Sequence, residues 1–246
     1  MSAACFSLKE TLSFMCGRFS STLSAEFIRR LFGTEGDVPN LGPSWNLAPS
    51  QDALVVRRHP ETGVRRIDAL KWGLVPHFTK DLKEARKPIN ARAESVASSG
   101  MFRSAFFARR CIVPAGLFYE WRKVGSGKQP YAIARVDQAP LAFGGIWEGW
   151  RSPEGEVVRS FAIITTGANR EMSVLHDRMP LVLEEADWRL WLGEDAGDAG
   201  ALLRPAPDGT LQAWPVSPRV NSPRNNDAGL LEPMILATEG GGPNPA

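Results

Sequence analysis

The sequence predicts an α+β fold with a curved, largely antiparallel β-sheet or barrel core flanked by short helices. Strand-like apolar runs follow one another along most of the 246 residues, and helical patterns are few. The two kinds of segment do not alternate as a regular βαβ protein requires. A hydrophobic content of 43% and a charged content of 23% are ordinary for a globular protein, so one large domain is expected.

The elements are predicted in chain order from apolar periodicity. The first is a short amphipathic helix over 24–32, with Ser24 as its N-cap. Strands are predicted over 53–58 and 64–70, joined by a turn at 59–63, and then over 111–113, 131–136, 141–147, 157–165 and 179–183. A helix is predicted over 184–192. The domain is expected to span 15–237, between an N-terminal extension over 1–14 and a disordered Gly/Pro-rich tail over 238–246.

Composition excludes several functional classes. The sequence has no run of 18 apolar residues and no signal-peptide pattern over 1–14, so we expect neither a membrane span nor export. The three cysteines form no CxxC pair and the three histidines are scattered. No disulfide framework, metal or other cofactor is therefore predicted, and a cytoplasmic location is expected, nucleoid-associated in a bacterium. With a net charge of +2, any nucleic-acid site must be a local groove.

Cys16 directly follows Met15. If translation starts at Met15, or if residues 1–14 are removed, Cys16 becomes the first residue of the mature protein. It then carries a free α-amine beside its thiol. The amine attacks an aldehyde to give a Schiff base, and the thiol closes a thiazolidine ring, which an internal cysteine cannot do. The alternative is that Cys16 is a small buried hydrophobe, as most cysteines are.

Polar residues in four segments, at 90–94, 116–121, 176–180 and 215–221, lie where plain strand or loop logic does not require them. Seven longer segments, which include these positions, follow one another along the chain. They are MCGRFS at 15–20, WNLAPS at 45–50, KWGLVP at 71–76, PINARAES at 88–95, CIVPAGLFYEW at 111–121, HDRMPLVL at 176–183 and PVSPRVN at 215–221. Their identity and order resemble the SRAP (SOS response-associated peptidase) family, whose members include abasic-site processing proteins. The extension before Met15 departs from the family pattern.

The resemblance implies a single SRAP-like domain that crosslinks to abasic sites in single-stranded DNA. The family's catalytic positions fall on Cys16, Asn90, Glu120 and His176. Glu120, flanked by aromatics, is expected to have a pKa raised by desolvation and to act as acid and base. His176 would protonate the sugar oxygen and Asn90 would orient the amine or the sugar. The alternatives are an edge-strand carboxylate, a helix cap and a turn residue.

The DNA contacts implied by the resemblance are six. Arg18, Arg92 and Arg178 lie close in sequence to catalytic candidates and are expected to hold phosphates. Trp72 is expected to stack on a base, and Asn46 and Ser217 to contact the backbone. Their alternatives are surface charges and, for Trp72, a core aromatic. The expected partner is single-stranded DNA, because a deep site with aromatic stacking requires an unstacked lesion, and the protein is expected to be a monomer.

Two other function classes stay open at this point. An N-terminal cysteine beside an acid–base group is also the arrangement of an N-terminal-nucleophile peptidase, which would remove residues 1–14 itself. A non-covalent reader of modified bases needs only a base pocket and tolerates loss of the Cys16 amine. A heat-stable adduct with abasic DNA is expected from the crosslinker alone.

Overall fold

The computed structural model describes residues 16–236, so the predicted extension over 1–14 and the tail over 238–246 lie outside the described residues. In chain order the strands are β1 (Phe19–Ser21), β2 (Ser44–Leu47), β3 (Asp52–Arg58), β4 (Arg65–Trp72), β5 (Asn90–Arg92), β6 (Arg110–Ala115), β7 (Leu117–Val124), β8 (Gly127–Arg135), β9 (Leu141–Arg151), β10 (Val157–Gly167), β11 (Arg178–Pro180) and β12 (Leu211–Pro215). The α-helices are α1 (Ala25–Phe32), α2 (Ala93–Val96), α3 (Arg103–Ala108), α4 (Arg170–Ser173) and α5 (Trp188–Leu192). Single 3₁₀ turns occupy Glu185–Asp187, Ala199–Leu202, Pro218–Asn221 and Ala228–Leu231.

Five strands close into a barrel in the order β4, β3, β6, β9 and β10. Four of the five pairings are antiparallel, and a short parallel pairing of β10 with β4, in which Ser160 faces Lys71, closes the ring. Closure removes the free edges that an open sheet would expose. Strands β3, β6, β9 and β10 are buried on both faces over most of their length and have long apolar runs, whereas β4 alternates between buried and more exposed residues.

A second, five-stranded sheet packs against the barrel in the order β12, β8, β7, β1, β2, with every pairing antiparallel. Phe19, Phe118 and Ile133 of this sheet share one core with Val55 and Phe143 of the barrel strands. The alternate barrel residues form a second core with α1 and α5. The predicted α+β class with a largely antiparallel barrel and short helices is therefore confirmed.

Several predicted elements are confirmed nearly to the residue. Helix α1 begins after Ser24, whose hydroxyl accepts a hydrogen bond from the Phe27 amide at 3.1 Å. The turn between β3 and β4 ends at Gly63, whose φ of 73° suits glycine. The strand predicted over 179–183 is shorter, because only Arg178–Pro180 pair regularly and Val182 makes one isolated bridge. The helix predicted over 184–192 is a 3₁₀ turn followed by α5.

Within the described residues, no helix combines the length and the apolar character that crossing a bilayer requires. Across 16–236, His, Cys, Asp and Glu side chains nowhere come together in threes in a way that would hold a metal ion.

Candidate active site

The pairing of β1 with β7 brings Cys16 to Glu120. Phe19 lies opposite Phe118, and the ladder continues with the Tyr119 amide donating to the Arg18 carbonyl at 3.0 Å. Continuing this antiparallel register places the chain before β1 beside the second half of β7. The Cys16 main-chain nitrogen accordingly donates to Glu120 Oε1 at 2.6 Å, across 104 residues of sequence.

Cys16 is almost completely buried, with 1% of its surface exposed. Burial, and next the negative charge of Glu120, raise the pKa of its thiol well above the usual value, so the thiol is protonated at neutral pH. The residue also has a φ of 43°, in the left-handed region. A non-glycine residue there costs of order 1–3 kcal/mol, which the surrounding structure must offset.

The Glu120 side chain is buried, with 2% of its surface exposed, and the residues on either side of it in β7 are aromatic. Burial raises its pKa to about 7, and the Asp177 carboxylate adds to this. The amides of Cys16 and Trp121 and the charge of Lys128 oppose the rise. The predicted raised pKa of Glu120 thus has the predicted cause, and the side chain exchanges a proton close to neutral pH.

The other two catalytic candidates are positioned by β10. Asn90 in β5 pairs in parallel with Ile163 of β10, and Thr165 of β10 faces both Arg92 of β5 and Pro180 of β11. Strands β5 and β11 therefore flank the end of β10, and His176 lies just before β11. The NARAES and HDRMP segments, 80 residues apart in sequence, are brought together by this one strand.

His176 is half-buried at the end of α4, where its amide donates to the Met172 carbonyl at 2.9 Å. Its Nδ1 lies 2.7 Å from Asp177 Oδ1 and 3.2 Å from the Arg178 amide. Nδ1 can donate to Asp177 only when it carries a proton and can accept from the Arg178 amide only when it does not, so the two hydrogen bonds do not form at the same time. Burial lowers the pKa of His176 and Asp177 raises it, the burial effect being the larger.

The three arginines have different environments. Arg92 is exposed. Arg178 makes a bidentate ion pair with Glu94 at 2.9 Å and donates to the Thr165 carbonyl at 2.6 Å. Arg18 is half-buried and donates to Asn46 Oδ1 at 2.9 Å and to the Val220 carbonyl at 2.8 Å. Arg92 is therefore the arginine most available to a phosphate, whereas Arg178 would have to exchange Glu94 for one.

Two of the predicted DNA contacts are wrong because their side chains are buried. Trp72 has no exposed surface: it packs 5.0 Å from Phe19 and parallel to Phe161, and its Nε1 donates to the Ile89 carbonyl at 3.0 Å. Asn46 is 1% exposed. Its amide nitrogen donates to the carbonyls of Val220, Ser222 and Asn225 at 3.1, 3.0 and 2.9 Å. Both side chains pack inside the domain, and neither is exposed where it could contact a DNA strand.

Ser217 caps a 3₁₀ turn, where its hydroxyl accepts from the Arg219 amide at 3.3 Å. It is partly exposed, so its prediction as a backbone contact stays a prediction.

Trp121 was expected from the sequence only as one of the aromatic residues that flank Glu120. It is partly exposed, and its Nε1 donates to Asn221 Oδ1 at 2.7 Å. Its ring helps line an open cavity of about 450 Å³, together with Gly17, Arg18, Pro49, Lys87 and Ile89. Strand alternation in β7 places Trp121 on the opposite face from Glu120, but β7 was not predicted from the sequence, so this signal became visible only in the structure.

Fold and site together define an α+β protein in which a cysteine main-chain nitrogen is held against a buried carboxyl. Residues 15–223 match the family described as SOS response associated peptidase (SRAP). The chain belongs to this family.

Relatives with the same architecture occur in distant organisms. The chain is 38% identical to the abasic site processing protein YoqW of Bacillus subtilis, over 89% of this chain and 99% of that protein. It is 28% identical to the abasic site processing protein HMCES of Xenopus tropicalis, over 92% and 81% of the two chains. A crystal structure of a Bacteroides thetaiotaomicron protein superposes with a TM-score of 0.80 at 25% identity, covering 89% of this chain and all of that one.

Proposed function

We propose that this protein recognises abasic sites in single-stranded DNA and crosslinks to them through Cys16 as its N-terminal residue. The observation that carries the proposal is the 2.6 Å hydrogen bond from the Cys16 nitrogen to Glu120 Oε1. Loss of the residues before Cys16 turns that amide into an α-amine at the same place. The family match beginning at residue 15 and the abasic-site names of the relatives support this reading.

The chemistry begins with two proton transfers. The α-amine has a usual pKa of about 7.7–8.0, close to the value of about 7 for Glu120. Glu120 therefore takes a proton from the Cys16 ammonium at little cost, which leaves the amine nucleophilic. His176 protonates the ring oxygen of the closed sugar, and the sugar opens to its aldehyde. Asn90 orients the amine or the sugar hydroxyl.

The covalent steps follow in a fixed order. The amine adds to the aldehyde carbon and one water leaves, which gives a Schiff base. The protonated thiol then adds to the same carbon and its proton moves to the nitrogen, which closes the thiazolidine. A high thiol pKa suits this order, because the thiol does not compete with the amine for the first addition. Strand cleavage by β-elimination from the Schiff base is the competing lyase route, and ring closure suppresses it.

The DNA contacts that we propose differ from those expected from sequence in two places. Arg92, Arg178 and Arg18 hold phosphates beside the lesion, and Ser217 contacts the backbone. Trp121 replaces Trp72 as the surface on which a base stacks, because it lines the open cavity beside Cys16. We also propose that the protein acts as a monomer in the cytoplasm, close to the nucleoid in a bacterium.

One observation favours a second activity on the same residues. Cys16 itself has a left-handed backbone, a strained conformation for a residue that is not glycine, and it is the residue that follows the bond to be cleaved. We propose hydrolysis of that bond: water gives a proton to Glu120 and adds to the carbonyl carbon before Cys16, the C–N bond breaks, and the proton passes from Glu120 to the Cys16 nitrogen. We propose this autopeptidase step as the maturation that exposes the amine.

The test is incubation with single-stranded DNA that contains one abasic site, followed by denaturing electrophoresis after heating. The wild-type chain should give a shifted, heat-stable band. Cys16→Ala should give no such band, although borohydride should trap its Schiff base. Cys111→Ala is the matched control, because Cys111 is also a fully buried free cysteine. A stable adduct with Cys16→Ala, or its loss with Cys111→Ala, would overturn the proposal.

A further inference from the structure

The β7–β8 hairpin extends beyond the candidate active site, and its exposed end carries basic side chains. The two strands stay paired as far as Val124 and Gly127, and the residues from 122 to 128 are exposed. This segment reads Arg-Lys-Val-Gly-Ser-Gly-Lys and contains three cationic side chains and no acidic one. The left-handed φ of Gly125, 56°, allows the tight turn at its tip.

The arrangement of these charges opposes folding. Lys123 lies directly opposite Lys128 in the antiparallel register. Like charges at directly opposed positions destabilise a sheet. Among the ion pairs that the described residues form, none involves Arg122, Lys123 or Lys128, so no carboxylate lies in direct contact with either lysine. An anion bound between the two lysines would relieve their repulsion.

The hairpin begins at the candidate active site. Its first strand carries Glu120, which bonds the Cys16 nitrogen, and then Trp121, which lines the open cavity. The positive charge of Lys128 lowers the pKa of both Glu120 and His176, so its ammonium group lies within electrostatic range of both. Strand alternation puts Lys123 and Lys128 on the face of Trp121 and Arg122 on the other face.

We infer that Lys123 and Lys128 form a phosphate-binding site for the single strand as it leaves the abasic-site cavity, with Arg122 as a secondary contact. This inference rests on the proposed function for the identity of the strand. A nucleic-acid backbone fits better than an acidic protein segment, because the strand that carries Lys123 also carries Trp121, and Trp121 lines an open cavity with two further basic residues, Arg18 and Lys87. The bound phosphate bridges two charges that repel each other in the free protein.

If the two lysines bind a phosphate, their replacement should weaken DNA binding without lowering the melting temperature. The variant Lys123→Gln/Lys128→Gln should bind intact single-stranded DNA several-fold more weakly at low salt. The slope of log affinity against log salt should become shallower by about 0.7 for each phosphate that the variant no longer neutralises. The same variant should melt at the same temperature as wild type or higher, because the like-charge pair is gone. Arg30→Gln is the control, since Arg30 is exposed on α1 and forms no ion pair among the described residues.

An unchanged salt slope for the double variant, or a slope reduced equally by Arg30→Gln, would overturn the inference. A lower melting temperature for the double variant would refute the role of charge repulsion. Binding to intact DNA is measured separately from crosslinking to abasic DNA. A wild-type chain that crosslinks while the slope stays unchanged refutes the hairpin site alone. A chain that fails to crosslink while the slope falls refutes the proposed chemistry and retains the site.

Discussion

At the scale of single residues, Glu120 shows how burial creates a proton acceptor suited to neutral pH. A solvated glutamate is too weak a base to deprotonate an ammonium group efficiently at pH 7. Desolvation in the strand raises the pKa of Glu120 to about 7, while the hydrogen bond to Cys16 keeps its oxygen directed at the reacting nitrogen. The same burial keeps the Cys16 thiol protonated, so one environment sets the states of both groups.

The raised pKa of Glu120 predicts a specific dependence of stability on pH. A carboxyl whose folded-state pKa is about 7 favours the folded state below its usual pKa near 4.5, and this contribution is lost as pH rises through 7. At 1.36 kcal/mol per pKa unit the loss is about 3 kcal/mol. Glu120→Gln should lack this loss. Chemical denaturation at several pH values, on chain that retains an amide bond before Cys16, measures it.

Wild type and Glu120→Gln should have similar free energies of unfolding at pH 4.5, and the variant should be the more stable of the two at pH 8. Parallel stability curves across this range would mean that Glu120 titrates as an ordinary solvated carboxyl.

The resemblance carried by the ordered motifs selected four catalytic candidates, whose roles stay predictions, and the structure places two of them, Cys16 and Glu120, in direct contact. The same motifs were not sufficient to place Trp72 and Asn46. Both lie in matched motifs, as the catalytic candidates do, but whether a motif residue lines a site or builds the core depends on packing. Trp72 is buried by Phe19 and Phe161, which come from β1 and β10.

At the scale of elements, the shortest strands matter most and are the least predictable. Strands β1, β5 and β11 have three residues each, too few to show alternation. Their positions come from pairing with two long partners, β7 and β10, and of these only β10 was predicted, over 157–165. Strand β7 itself was not predicted, since both its faces are covered from Leu117 to Glu120 and the alternation disappears. By contrast, α1 has its own N-cap residue and an amphipathic pattern of apolar residues, and its bounds were predicted within one residue.

The positions of two tryptophans in their strands predict opposite consequences of truncation. Trp72→Ala, in β4, should destabilise the fold by about 3–5 kcal/mol, because it leaves a large cavity between barrel and sheet. Trp121→Ala, in β7, should cost less stability and weaken binding of single-stranded DNA by about 1–3 kcal/mol. Denaturant melts and fluorescence-anisotropy titrations of both variants measure the two effects. If folded Trp72→Ala binds single-stranded DNA more weakly while Trp121→Ala binds it normally, then Trp72 and not Trp121 is the residue that stacks on a base.

At the scale of the whole molecule, the site lies where two sheets meet. The five-stranded sheet supplies Cys16 and Glu120, through β1 and β7. The barrel supplies Asn90 and His176, through the segments that flank the end of β10. The shared core between the two sheets fixes their relative position. The α+β class was predictable from many strand-like runs and few helices, whereas the choice between an open curved sheet and a closed barrel was left open, because closure depends on the two-residue parallel pairing of β10 with β4.

The proposed mechanism depends on Cys16 reacting through its nitrogen as well as its sulfur, and intact mass of the DNA adduct tests this most directly. A chain that begins at Cys16 should give an adduct whose mass is the sum of protein and abasic oligonucleotide minus one water, stable to heat without borohydride. The same chain with an uncleavable extension before Cys16 should give none. An adduct that retains the water, or one formed equally by the extended chain, would show a thiol-only reaction and contradict the mechanism.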